Sequence, residues 1–178
     1  MNLPHRNIIS SQKINLKRDF IYNQRITFKP NGLWIGIYDS WYNFWYCDKL
    51  KTRKDEYNIL KDKYIYDVKL KDNIFTEERY YRKRKYNDKI FTVKNKEDVI
   101  YINNQYGIID NNEIIFIDWV KFSRRYSGIE FINYIDIRKE VNKLQNSDEF
   151  LWFFSVDVDS ICIWNLDLIE KIRLIKTI

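Results

Sequence analysis

Glycine, proline, cysteine, histidine and methionine are all scarce in this chain, and each scarcity closes off a class of function. Four glycines and two prolines in 178 residues, with 17% aromatics, leave no composition for a low-complexity linker or a long disordered tract. Two cysteines, Cys47 and Cys162, lie far apart, whereas a small secreted domain is usually held by more. They point to free thiols in a reducing compartment. One histidine and two cysteines cannot assemble a His/Cys zinc site, and no metal site is assigned, although carboxylates remain able to hold Mg²⁺ or Ca²⁺. His5 is the only side chain whose ordinary pKa lies near neutrality, so hydrolase triads have no other base to use. It stands beside Pro4 at the terminus, where it is either a general acid/base or an idle end residue. No run approaches the eighteen or so apolar residues of a membrane span, and the N-terminus has no apolar core of signal-peptide length. The expectation is one domain over 1–178, soluble and in the cytoplasm of its own or a host cell, with its oligomeric state left open. The excess of Lys, Asn, Ile and Tyr suits an AT-rich coding genome such as that of a large DNA virus or an intracellular parasite. Part of the net charge of +6 is then codon bias.

Against those scarcities, residues 29–45 are dense. Three of the six tryptophans and two of the four glycines fall in Lys29-Pro30-Asn31-Gly32-Leu33-Trp34-Ile35-Gly36-Ile37-Tyr38-Asp39-Ser40-Trp41-Tyr42-Asn43-Phe44-Trp45. Lys-Pro-Asn-Gly reads as a turn, Gly32 as a point of close backbone approach, and Leu33–Ile37 as a short buried strand. Asp39 or Ser40 is positioned to cap a helix carrying Trp41 and Trp45 on one face.

Elsewhere, Tyr64, Tyr66, Val68 and Leu70 alternate as one face of a half-buried strand. Residues 95–107 read as a short helix with a cap, acids in its first turn and a closing glycine. A first strand is expected near Asn7–Ser11, and a short strand or helix lead-in at Ile114–Ile117. Asp118 is expected to cap a helix over 119–126 that Gly128 stops. Further strands are expected over 129–134, 151–158 and 160–165, with a surface helix over 137–144. The tail should turn near Leu168-Ile169 and end in an edge strand. This mixture, without regular βαβ alternation, is α+β.

Four groups of residues carry candidate chemistry. Arg79, Arg82, Lys83, Arg84 and Lys85 alternate with tyrosines up to Tyr86, either to neutralise phosphates while rings stack on bases, or as a solvated edge. Asp157 and Asp159 share a face at strand spacing, which suits metal or hydroxyl binding or a polar strand end. Cys162 between Ile161 and Ile163 reads as a small buried hydrophobe. Glu130 reads as a solvent-face strand residue or as a carboxylate aimed into a cleft.

Gly32-Leu33-Trp34-Ile35-Gly36 with Ser40, the Tyr64–Leu70 strand, and Cys162-Ile163-Trp164-Asn165-Leu166-Asp167-Leu168-Ile169, taken in order, resemble ADP-ribosyltransferase-like domains. Those domains also carry a first strand with a His and a small or hydroxyl residue, for which His5 and Ser10-Ser11 are the candidates here. The resemblance implies a split antiparallel or mixed sheet with short helices and binding of NAD or a related nucleotide. Gly32, Leu33, Trp34, Tyr38, Ser10 and Ser40 would line the site. It also implies that Ser160 stands where the family's catalytic glutamate would be, with Asp159 beside it, and that Leu166 replaces a proline. The chain is then an atypical mono-ADP-ribosyltransferase with Ser160, Asp159 and His5 at its centre, or a non-catalytic protein on the same scaffold that binds a host protein or nucleic acid through Arg79–Tyr86.

Overall fold

The computed structural model describes residues 6–16, 20–38, 40, 64–72, 74 and 89–177. In chain order its elements are β1 (Arg6–Ser10), β2 (Ile26–Thr27), β3 (Leu33–Ile37), β4 (Tyr64–Leu70), β5 (Ile90–Val93) and α1 (Lys96–Tyr106). They continue with β6 (Gly107–Ile109), β7 (Ile115–Asp118), α2 (Trp119–Ser123), β8 (Gly128–Phe131) and α3 (Tyr134–Val141). α4 (Leu151–Phe154), β9 (Ser160–Ile163) and β10 (Ile169–Thr177) complete the order. Seven strands form one mixed sheet in the order β10-β4-β1-β3-β9-β8-β5, and β2-β7-β6 form a small antiparallel sheet. The α+β expectation holds. No helix among the described residues is long and apolar enough to cross a membrane.

The large sheet is pinched at one place. β1 and β3 share two register pairs, Arg6–Ile37 and Asn7–Gly36, whereas β1–β4 and β3–β9 each share four. Beyond Asn7 the two strands part.

Side chains two apart on a strand share a face, and the two faces of this sheet have different partners. Trp34, Ile129, Phe131, Phe91, Val93 and Cys162 point to the helices and join an aromatic core with Trp119, Phe122, Trp152 and Phe153. Ile35, Ile37, Ile161, Ile163, Ile8, Tyr66 and Val68 point the other way into a largely aliphatic cluster. Two buried indoles of the aromatic core are satisfied: that of Trp152 donates to Asn103 Oδ1 at 3.1 Å, and that of Trp164 to the Tyr126 carbonyl at 2.8 Å.

Several elements follow local rules. Asn95 caps α1 by accepting from the Asp98 N–H, and Asp118 caps α2 by accepting from the Lys121 N–H. β10 emerges from a 3-10 turn at Leu166–Leu168 and lies at the sheet edge, as expected. α2 ends at Ser123, short of 126, and Gly128 begins β8 instead of stopping the helix. An added Cβ on Gly128 would lie 2.9 Å from the Cys162 carbonyl oxygen, so glycine lets β8 approach β9.

The expected strand over 151–158 is replaced by one turn of helix and a loop. A short apolar run cannot distinguish the two conformations by periodicity. Here the 3-10 turn Ser147–Phe150 leads directly into α4, and Trp152 and Phe153 are both fully buried in the aromatic core. α3 starts at Tyr134, three residues earlier than expected, and β8 ends correspondingly early. The cause is a cap delivered from a distance by Asp159.

Candidate functional site

Asp159 organises one end of the large sheet. Its carboxylate accepts from the Tyr134 N–H at 2.7 Å and the Asn133 N–H at 3.1 Å, capping α3 where the Asn133 side chain makes no cap. Its carbonyl accepts from the Ile37 N–H at 3.2 Å and from Ser40 Oγ at 2.7 Å. Three of the four non-glycine residues with positive φ among the described residues lie here: Tyr38 at 53°, Asn133 at 55° and Asp157 at 51°. Left-handed backbone is costly for such residues, and it gathers at ligand sites more than elsewhere. Asp157 and Asp159 therefore do not share a strand face, contrary to the spacing argument. One is in a loop and ion-paired to Lys29 at 3.2 Å, while the other is a helix cap.

A polar row crosses the helix-side face at this end. Register pairs place Asp67, Asn7, Gly36, Ser160 and Phe131 side by side across β4, β1, β3, β9 and β8. Arg173 on β10 flanks the row and pairs with Asp67 at 3.4 Å. Asn7 Nδ2 donates to the Tyr38 carbonyl at 3.1 Å. That contact fixes which end of the amide is nitrogen, and it leaves Oδ1 buried with no hydrogen-bond partner among the described residues. An acceptor buried without a donor costs about 1–3 kcal/mol. Tyr38, whose carbonyl takes that bond, is 62% exposed.

The opposite face holds a different cluster at the same end. Arg6 Nη2 lies 3.3 Å from Glu130 Oε1, and Thr92 Oγ1 donates to Glu130 Oε2 at 3.1 Å. Both charged side chains are more than nine-tenths buried. The solvent-face reading of Glu130 is thus overturned: β8 is an interior strand covered on both faces. Burial pushes the Glu130 carboxyl above the usual carboxylate range, Arg6 and Thr92 oppose that rise, and Asp159 adds to it. This pair escaped the sequence reading because it spans 124 residues. The available signal was Gly128-Ile129-Glu130-Phe131-Ile132, a glutamate inside an otherwise apolar strand.

The structure divides the expected site residues. Tyr38, Ser40, Asp159 and Ser160 meet at the Asp159 end, but both serine hydroxyls are engaged. Ser40 donates to the Asp159 carbonyl, and the fully buried Ser160 donates to the Val158 carbonyl at 3.0 Å. Gly32, Leu33 and Trp34 occupy the other end of β3, roughly 13–20 Å away at strand rise. The close approach that Gly32 permits is to β9, since an added Cβ would sit 2.6 Å from the Ile163 carbonyl oxygen and 2.7 Å from Cys162 Sγ. Leu33 packs into the aliphatic cluster, and Trp34 stacks on Phe131 with Lys29 Nζ 5.7 Å from its ring centre. Ser10 closes a local turn with Gln12.

Cys162 is wholly buried and its thiol is pushed well up by burial, in line with its reading as a small hydrophobe. His5, the Trp41/Trp45 helix, Cys47 and the Arg79, Arg82, Lys83, Arg84 and Lys85 cluster lie outside the described residues. Among the described residues no three His, Cys, Asp or Glu side chains gather as a metal site would need. Compared with known proteins, the chain matches no family model, no curated protein and no solved structure.

Proposed function

We propose that this chain is an ADP-ribosyltransferase-like protein that binds NAD or a closely related nucleotide at the Asn7–Tyr38 end of the large sheet, without transferring ADP-ribose. The observation that carries the reading is Asn7 Oδ1, a buried acceptor with no hydrogen-bond partner among the described residues, on an amide whose nitrogen is bonded to the carbonyl of the exposed Tyr38. A carboxamide or base N–H would satisfy that oxygen, and the Tyr38 ring would stack on the planar group bearing it. Two features of the sheet support the same scaffold. The strands carrying the resembling segments and the first-strand candidate Ser10, namely β4, β1, β3 and β9, are consecutive neighbours, and β1 parts from β3 after two pairs as a split sheet requires.

The residues fit binding better than transfer. Transfer needs a carboxylate free to hold a ribose hydroxyl. Ser160 carries no charge and its hydroxyl is engaged, while the Asp159 carboxylate is occupied with two backbone N–H groups. Glu130 is on the opposite face, enclosed by Arg6 and Thr92.

Calorimetric titration with NAD tests the reading, alongside incubation with labelled NAD and a cell lysate. Saturable binding is expected in the wild type, weakened about tenfold by Asn7→Leu, the equivalent of one lost hydrogen bond of about 1.4 kcal/mol. Glu130→Gln should leave affinity unchanged. Absence of NAD binding would refute the proposal, and label transfer abolished by Glu130→Gln would return the carboxylate to a catalytic role.

A further inference from the structure

A second groove lies against the loop that leads to Asp159, where Lys29 pairs with Asp157. It is an open trough of about 640 Å³ lined by Arg25, Thr27, Phe28, Lys29, Pro30, Asn31 and Ser155. That volume falls within the range that holds a small organic ligand.

The groove wall is set before any ligand arrives. Gln24 clamps Asn31 through both amide atoms, accepting from its N–H at 3.0 Å and donating to its carbonyl. Asn31 Nδ2 donates to the Asn23 carbonyl at 3.2 Å, and the Trp119 indole donates to the Thr27 carbonyl at 3.0 Å. Phe28 is held by stacking on Phe116, with ring centres 4.5 Å apart and planes 18° from parallel. A loop fixed in this way loses little entropy on binding.

Arg25 supplies the groove's unpaired positive charge: it is exposed and has no ion-pair partner among the described residues. Lys29, also exposed, shares its charge with Asp157 across a half-exposed pair, which leaves it available to a stronger anion. Basic groups along an open trough with an aromatic side chain in its wall are the elements that hold phosphate and base of a single strand.

We propose that this groove binds one phosphate-bearing nucleotide unit of a single-stranded nucleic acid, with Arg25 and Lys29 on the phosphate and Phe28 against the base. The site is independent of the Asn7–Tyr38 reading and of the Arg79–Lys85 cluster.

Fluorescence anisotropy of a labelled ten-nucleotide oligo(dU), titrated with protein at several salt concentrations, tests it. Competitors are free UMP and dextran sulfate. Arg25→Glu should weaken oligonucleotide binding at least fivefold and flatten the slope of log affinity against log salt by about 0.7, one single-strand phosphate contact. Phe28→Leu should weaken binding without altering the slope, and NAD affinity should be unchanged in both variants. Unchanged binding by Arg25→Glu, or loss only when Arg82, Lys83, Arg84 and Lys85 are replaced by Ser, overturns the proposal. Competition by dextran sulfate as effective as that by unlabelled oligo(dU) also overturns it, because a polyanion has no base. UMP binding as tight as the oligonucleotide would overturn the strand and assign the groove to free nucleotide.

Discussion

Removing Arg6 provides the sharpest test of how the centre of the sheet is held. Its guanidinium lies 3.3 Å from Glu130, with side-chain exposures of 6% and 8%. At an effective dielectric of about 20, charges at that separation attract by about 5 kcal/mol. Breaking a buried pair by deleting one partner typically costs about 3–5 kcal/mol. Arg6→Ala should therefore lower the melting temperature by on the order of 10 °C at neutral pH while leaving a folded protein. The loss should depend on pH with a definite sign. In the wild type the folded Glu130 carboxyl already titrates above its unfolded value, with burial as the main cause. The folded state thus binds the proton more tightly, and stability falls as pH rises from the unfolded pKa to the raised folded one. Arg6 opposes that rise, so its removal extends the window upward. Urea unfolding at about pH 4, 6 and 7.5 should show the Arg6→Ala deficit growing with pH and then levelling off. The double variant Arg6→Ala/Glu130→Gln, lacking the ionisable group, should show no such growth and should exceed Arg6→Ala in stability at pH 7.5. An equal deficit at all three values would refute the assignment of Arg6 as the counter-ion of Glu130.

Two further expectations concern Asp159 and Cys162. Asp159→Ala removes the acceptor for two N–H groups at the start of α3 and should cost about 1–2 kcal/mol in urea unfolding, with exchange protection lost first at residues 133–137. In a Cys47→Ser background the Cys162 thiol, buried and raised in pKa, should react with a thiol reagent only as fast as the protein unfolds. Rapid labelling of folded protein would contradict the described packing.

What could be read from the sequence was local. β4 announced itself by alternation, α1 and α2 by Asn95 and Asp118 at their caps, and Cys162 by its isoleucine neighbours. What could not be read depended on partners distant in the chain. α3 begins where it does because Asp159, twenty-five residues later, caps Tyr134. Glu130 is buried because Arg6 meets it across two intervening strands. The run Leu151–Phe154 became helix because the preceding turn and the surrounding aromatic core decided a choice that a short apolar run leaves open. Candidate binding residues divided for a similar reason. Gly32 and Tyr38 stand at opposite ends of one strand, a separation that their closeness in sequence conceals.

The most direct test of nucleotide binding at the Asn7–Tyr38 end is titration of isotope-labelled protein with NAD, followed through backbone amide resonances. Saturable shifts are predicted at Arg6, Asn7, Tyr38, Ser40 and Asp159, with the residue 25–31 loop unmoved. No shifts, or shifts confined to residues 25–31, would contradict the assignment.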